Sequence, residues 1–215
     1  MKSDPTVTII FDLDGVLLNS EEDLTWLKSA LSKTLLTYGL AATEQNLRKL
    51  YPGRVRKFQE EVKGFNVDPA KLWKTRDKHY TNEKIYAMKN GEIKPFPDVS
   101  ELYKLKGRYS LGIITNSPQE VADTFVSHFG YDDLFEVVIG RGTSLDDLTK
   151  LKPNPHLFKK LKEEHRGDTV VYVGDRESDR KFAENTGMKF LHLTRDKNGL
   201  KNLKEVVSKV SRGPL

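Results

Sequence analysis

Two aspartates one residue apart, Asp12 and Asp14, follow the apolar run Val7–Thr8–Ile9–Ile10 and Phe11, with Leu13 between them and Gly15 after them. In a strand, residues i and i+2 face the same side about 7 Å apart along the chain, so both carboxylates start on one side while Leu13 turns to the other. Gly15 lets the backbone bend sharply just past them. In open α/β sheets, ligands bind beyond the carboxyl ends of the strands. Two carboxylates there can do complementary work. One stays ionised as nucleophile or metal ligand, and the other takes a proton more readily because its neighbour is charged. A calcium loop of the helix–loop–helix type is excluded, because Val16 and Leu17 stand where it needs Asp or Asn and then Gly.

Three further stretches carry groups of the same kind. Gly112-Ile113-Ile114 ends in Thr115-Asn116-Ser117, a hydroxyl next to an expected helix N-terminus whose free N–H groups suit a phosphate oxygen. Ser117 is expected to cap that helix, with Pro118 at its first position and Glu120 completing a capping box. Lys152 is followed by Pro153, which fixes the chain just beyond the ammonium. Gly174–Asp175 closes another apolar run, with Asp179 four residues on. A helical turn would stack the two carboxylates on one face, where like charges repel unless a cation lies near, and this favours a metal role. Arg48, Lys49, Arg54, Arg56 and Lys57 gather around Tyr51-Pro52-Gly53. The arginine fork binds carboxylate or phosphate bidentately, although a solvated basic helix end reads equally well. Trp73, His79 and Tyr80 read as helical core or surface.

The elements that must hold these groups are legible in the apolar pattern. Val7–Phe11, Ser110–Ile114, Glu136–Ile139, Thr169–Val173 and Lys189–Leu193 are short, nearly unbroken apolar runs, as expected for parallel strands covered on both faces. Helical patterns separate them. Val121, Phe125 and Phe129 recur at four-residue spacing before Gly130; Leu157, Phe158 and Leu161 follow Asn154–Pro155; and Leu200, Leu203, Val206, Val207 and Val210 form the last. This alternation predicts an α/β, doubly wound (Rossmann-like) parallel sheet. Residues 19–92 interrupt it with helical patterns alone and no strand pattern. Ser20 is expected to start a helix carrying Leu24, Leu27, Leu31 and Tyr38, and Thr43 to cap a shorter one that stops at Pro52–Gly53. Asp68–Pro69 opens a long helix with Leu72, Trp73, Tyr80, Ala87 and Met88. The expected organisation is a core of residues 1–18 and 93–215 with a small all-helical domain at 19–92.

At 215 residues the chain can build one large domain or two modest ones. No stretch approaches the roughly 20 apolar residues that span a bilayer, and MKSDPT lacks the apolar core of a signal peptide. With no cysteine, disulfides and thiolate metal sites are excluded. The net charge of +5 comes from lysines spread over nearly every expected helix, which reads as a solvated surface and not a nucleic-acid stripe. Such a surface would steer anionic substrates inward. The expectation is a soluble, cytoplasmic protein, a monomer or weak homodimer, with neither nucleic acid nor membrane as partner.

Four motifs in this order at four successive strand ends resemble the haloacid dehalogenase (HAD) superfamily. They are Asp12-Leu13-Asp14-Gly15, Thr115-Asn116, Lys152-Pro153, and Gly174-Asp175 with Asp179. Within the superfamily the chain resembles phosphatases with a helical cap inserted after the first motif, phosphoglycolate-phosphatase-like members among them. The resemblance covers essentially the whole chain. It implies that Asp12 is the nucleophile and Asp14 the general acid/base. Thr115 would bind the phosphoryl group with help from the Asn116 backbone, and Lys152 would offset charge on nucleophile and phosphate. Asp175 would ligate Mg²⁺ together with the Asp12 side chain and the Asp14 carbonyl, with Asp179 supporting from close by. The basic loop at Gly53, with Arg54 and Arg56, sits where such caps meet substrate. The implied activity is Mg²⁺-dependent hydrolysis of a small phosphorylated metabolite through an aspartyl-phosphate. A phosphosugar mutase shares all four motifs, and a non-catalytic binding protein could use the same scaffold; a dehalogenase would lack the second aspartate. Two positions depart from the family pattern: Asn19 stands where an aspartate is frequent, and Arg176 where a small hydroxyl residue is frequent.

Overall fold

The computed structural model describes residues 7–51, 54–164, 169–195 and 199–212. Five parallel strands form the main sheet: β1 (Val7–Phe11), β4 (Ser110–Pro118), β5 (Val137–Arg141), β6 (Thr169–Gly174) and β7 (Lys189–His192), in the order β5-β4-β1-β6-β7. The chain winds outward from β1 through β4 and β5, then crosses to β6 and β7 on the other side. β1 therefore occupies the point where the winding reverses, the place where such sheets bind ligands. Its neighbours are in register from Thr8↔Ser110 to Phe11↔Ile113 on one side and from Val7↔Thr169 to Phe11↔Val173 on the other.

The nearly unbroken apolar runs have a simple cause. Ile9 and Phe11 pack in one buried cluster with Val121 and Phe125 of α5 (Gln119–Phe129) and Leu203 and Val206 of α8 (Leu203–Ser211). Ile10 faces the opposite cluster with Leu157 and Leu161 of α6 (His156–Glu164) and Phe182 of α7 (Glu177–Thr186). Both faces are covered, so neither can be polar.

The structure corrects several expected element boundaries. β4 continues past Ile114 to Pro118, which pairs with Arg141 after a register shift. α5 consequently starts at Gln119, with Pro118 at the cap position and no side-chain cap bond, so Ser117 does not cap it. β5 begins at Val137, one residue later than expected, and Glu136 N donates to Leu111 O at 2.8 Å just ahead of it. Leu200 forms an isolated bridge with Leu193 and precedes α8 instead of belonging to it.

Between β1 and β4 the chain leaves the sheet through β2 (Leu18–Asn19) and returns through β3 (Lys94–Pro95), which pair antiparallel. Two residues per strand are too short to leave any sequence pattern. The insert holds α1 (Thr25–Thr37), α2 (Glu44–Lys49), α3 (Val55–Val62) and α4 (Pro69–Lys89). Thr43 caps α2 by accepting from Asn46 N at 3.3 Å, and Asp68 caps α4 by accepting from Lys71 N at 2.9 Å. α1 does not start at Ser20. Asp23 accepts from Thr25 N at 2.8 Å instead, and Leu24 is exposed ahead of the helix. α3, with Phe58 and Val62 buried, is a helix that sequence pattern missed. The expected stop at Pro52–Gly53 lies outside the described residues. Edge-on aromatic pairs, Trp26 with Tyr80 and Phe58 with Trp73, tie α1 and α3 to α4. Among the described residues no helix is long and apolar enough to cross a membrane.

Candidate active site

The carboxyl ends of β1, β4 and β6 open into a cavity of about 490 Å³ bounded above by the helical insert. Gly15 makes the turn after β1 at φ +77°, and a Cβ there would lie 2.5 Å from Asp175 Oδ2. Glycine is thus demanded by both the backbone bend and the close approach of the β6 end.

Asp12 sits on the cavity floor, 6% exposed, with its Oδ1 accepting from Leu13 N at 2.8 Å. Lys152 Nζ lies 2.9 Å from the same oxygen and donates to Asp179 Oδ1 at 2.7 Å and Tyr172 Oη at 2.6 Å. Tyr172 passes its own hydrogen to Ile114 O, and Asn116 Oδ1 accepts from Lys152 N, so two strands hold the lysine in place. Burial pushes Asp12 up to about 8; Lys152 pulls against this, while Asp179 and Asp14 add to the rise. Burial would lower Lys152, but Asp12 and Asp179 outweigh it and keep the ammonium charged. Thr115, also buried, accepts from Ser117 N at 3.0 Å and keeps its hydroxyl hydrogen for donation.

Asp14 lives in a different environment. Ser20 Oγ and Lys84 Nζ each donate to its Oδ1 at 2.5 Å, and Ser117 Oγ donates to Oδ2 at 2.7 Å. Burial alone would raise this carboxyl, yet Lys84, followed by the two hydroxyls, holds it below the usual carboxylate range. Asp14 likewise keeps the buried Lys84 above its ordinary value. Its partners thus hold this carboxylate in the ionised form.

Asp12, Asp175 and Asp179 bring one carboxylate oxygen each within 4.8 Å of one another. Asp179 is committed on both sides, to Lys152 through Oδ1 and to Arg176 N through Oδ2 at 3.1 Å. Asp175 is not: among the described residues its buried Oδ1 has no hydrogen-bond partner. Burial raises Asp175 to about 6, and repulsion from Asp179 adds to it. An orphaned carboxylate oxygen among like charges fits a hard divalent cation with oxygen ligands. Arg176 leans over the rim, paired with Glu21, 3.9 Å from Asp175 Oδ2.

The insert supplies the upper wall. Trp73 Nε1 donates to Thr143 O at 3.0 Å, fastening α4 to the loop after β5. Arg141 makes a buried two-point contact with Asp77, and its Nε donates to Asn116 O at 2.9 Å. Arg76 completes this wall. Arg54 and Arg56 are not on it. Arg54 is exposed at the start of α3, and Arg56 points into solvent, bonded to Glu60 one helical turn on. The structure therefore gathers Asp12, Asp14, Thr115, Asn116, Lys152, Asp175 and Asp179 at one sheet edge, but leaves the two loop arginines away from it. Sequence reasoning missed Ser20, Lys84 and Ser117 as partners of Asp14, having read both serines as helix starts. It also passed over Arg76 and Arg141. No local pattern marks any of them.

A model of the haloacid dehalogenase-like hydrolase family matches residues 9–193. Among curated proteins, the pyrophosphatase PpaX of Halalkalibacterium halodurans is 25% identical over 193 residues, covering 85% of this chain and 80% of its own. A phosphoglycolate phosphatase of Aquifex aeolicus is 28% identical over 190 residues, covering 84% and 81%. In fold, the chain is similar to CbbY from Rhodobacter sphaeroides, solved in complex with phosphate, with a TM-score of 0.63 at 19% identity, covering 91% of each chain.

Proposed function

The chain belongs to the haloacid dehalogenase-like hydrolase family, and on that premise we propose that it is a Mg²⁺-dependent phosphatase that hydrolyses a small-molecule phosphate monoester through an aspartyl-phosphate on Asp12. The observation that carries this reading is the pairing of the cavity-floor carboxylate of Asp12 with the buried ammonium of Lys152 at 2.9 Å. Names of relatives that act on phosphoglycolate or pyrophosphate support a small phosphorylated substrate.

An Asp12 oxygen attacks phosphorus in line, the bond from phosphorus to the leaving oxygen breaks, and the alkoxide takes a proton from Asp14. Water then attacks the aspartyl-phosphate, Asp14 accepts its proton, and phosphate departs from Asp12. Ser20, Lys84 and Ser117 hold Asp14 in the ionised form that the second step needs. A bound phosphate dianion would raise its proton affinity for the first. The Thr115 hydroxyl and Asn116 N–H would hold phosphoryl oxygens, and Lys152 offsets charge as it moves from Asp12 to the phosphate. The Asp12 side chain, the Asp14 carbonyl and Asp175 would hold Mg²⁺, with Asp179 fixing Lys152 and the Asp175 loop beside them. Bound there, the metal would supply neutralisation of the phosphoryl charge.

The test is hydrolysis of p-nitrophenyl phosphate with and without Mg²⁺, beside the Asp12→Asn variant. Mg²⁺-dependent turnover and a trapped phosphoenzyme, both absent in the variant, are expected. Near-normal activity of Asp12→Asn would remove the covalent mechanism.

A further inference from the structure

We infer that the leaving group of the substrate carries a second anionic group, a carboxylate or a phosphate, and that Arg76 on α4 is the residue that selects it. This rests on the phosphatase reading and goes beyond it, since nothing in the hydrolytic chemistry requires a cation at Arg76.

Among the described residues, every cation lining the cavity except Arg76 has a carboxylate to itself or at hydrogen-bond distance. Lys152 is matched by Asp12 and Asp179, Lys84 by Asp14, and Arg176 at the rim by Glu21. Arg141 takes both oxygens of Asp77. Arg76 has only what Arg141 leaves: its Nη1 lies 3.7 Å from Asp77 Oδ1, beyond hydrogen-bond distance. Its Nε is buried and, among the described residues, has no hydrogen-bond partner. Yet Arg76 is 3% exposed and shares the cavity wall with Asp12.

A cation taken out of water without its own counter-charge is costly to keep. Burial, with Arg141 repelling it as well, lowers Arg76 to about 10, which still leaves it charged at neutral pH. Trp73 and Tyr80 hold the guanidinium with their rings, at 5.0 and 4.6 Å from its carbon. Ring faces attract the charge but accept none of its in-plane N–H groups in the way an oxygen does. What remains is a planar fork, short of acceptors among the described residues, on the wall of the cavity that would hold the phosphoryl group. A carboxylate or phosphate matches that fork, and a neutral hydroxyl or alkyl end does not.

The experiment compares kcat/KM within size-matched pairs on the full-length protein with Mg²⁺. 2-Phosphoglycolate against 2-hydroxyethyl phosphate tests a carboxylate, and propane-1,3-diol bisphosphate against 3-hydroxypropyl phosphate tests a second phosphate. The acidic member of at least one pair should be preferred about tenfold or more, and the pair that shows it identifies the group. In Arg76→Gln that ratio should fall towards one, mainly through KM. Arg76→Lys should keep a reduced preference, because the charge stays and the fork is lost. If Arg76→Gln does not fold, Arg76→Lys carries the residue assignment, and a ratio equal to wild type there would overturn it. Wild-type turnover of p-nitrophenyl phosphate with no preference in either pair would overturn the inference and leave the phosphatase reading standing. No turnover of any phosphate ester would overturn both.

Discussion

On the sheet side of the cavity, Lys152 has three partners and Asp179 two, whereas on the helical side Arg76 lies against two rings and, among the described residues, its Nε has no hydrogen-bond partner. The sheet-side groups are held by one another before any substrate arrives. They converge because β1, β4 and β6 are adjacent and parallel, so their carboxyl ends cannot avoid meeting. The helical wall is fastened to the core at points such as Trp73–Thr143 and Lys84–Asp14 but leaves Arg76 short of acceptors among the described residues. Under the proposed function, this is the division of labour expected when a common reaction serves a particular substrate.

That division can be broken most severely at Asp12. Asp12→Asn should lower kcat on the order of 10⁴-fold or more on every substrate, as loss of one member of a catalytic unit does. Asp14→Asn should cost roughly 10²–10⁴-fold on alkyl phosphates and least on p-nitrophenyl phosphate, whose leaving group needs no proton. Equal losses on good and poor leaving groups would take the proton-transfer role away from Asp14.

Metal binding sharpens the same contrast through pH. Asp12 and Asp175 have folded-state values raised to about 8 and about 6, above the unfolded 3.8. Their contribution to stability is therefore full below pH 3.8 and is lost as pH rises through 6 and 8. A cation at these carboxylates competes with the protons, so the rise in Tm on adding Mg²⁺ should grow between pH 5 and pH 8. Melting curves across that range check it, and a shift independent of pH would place the metal elsewhere.

The smallest effect belongs to the loop arginines. Arg56 is bonded to Glu60 in solvent, a pair worth about 0.3–0.5 kcal/mol. Arg56→Ala should change Tm little and KM by less than about twofold. A tenfold rise in KM would instead return substrate recognition to the loop at Gly53 and make the helical wall's selectivity a shared one.

How much of this could be read in the residues follows from the range of the forces involved. Val7–Phe11 is predicted to its last residue because a strand buried on both faces must be apolar throughout, which is a local requirement. Asp12, Thr115, Lys152 and Asp175 stand out for the related reason that each interrupts or follows such a run. Ser117 shows the limit: its hydroxyl next to proline looks like a helix cap, but β4 runs on through it and Asp14, 103 residues away in sequence, takes its hydrogen. Lys84 and Arg76 are further from reach. In the sequence they are two of the chain's 36 lysines and arginines, and the helix that carries them is long and mostly polar. Only the packing of α4 over the sheet edge buries them, sets Asp14 against one and leaves the other with two rings and a carboxylate already taken. The chain's own pattern thus determined the sheet, its winding and the acidic edge, because periodicity and turn chemistry act over a few residues. Which cations face that edge, and which of them lacks an anion, was decided by the tertiary structure alone, because charge pairing depends on distance in space and leaves no mark on spacing along the chain.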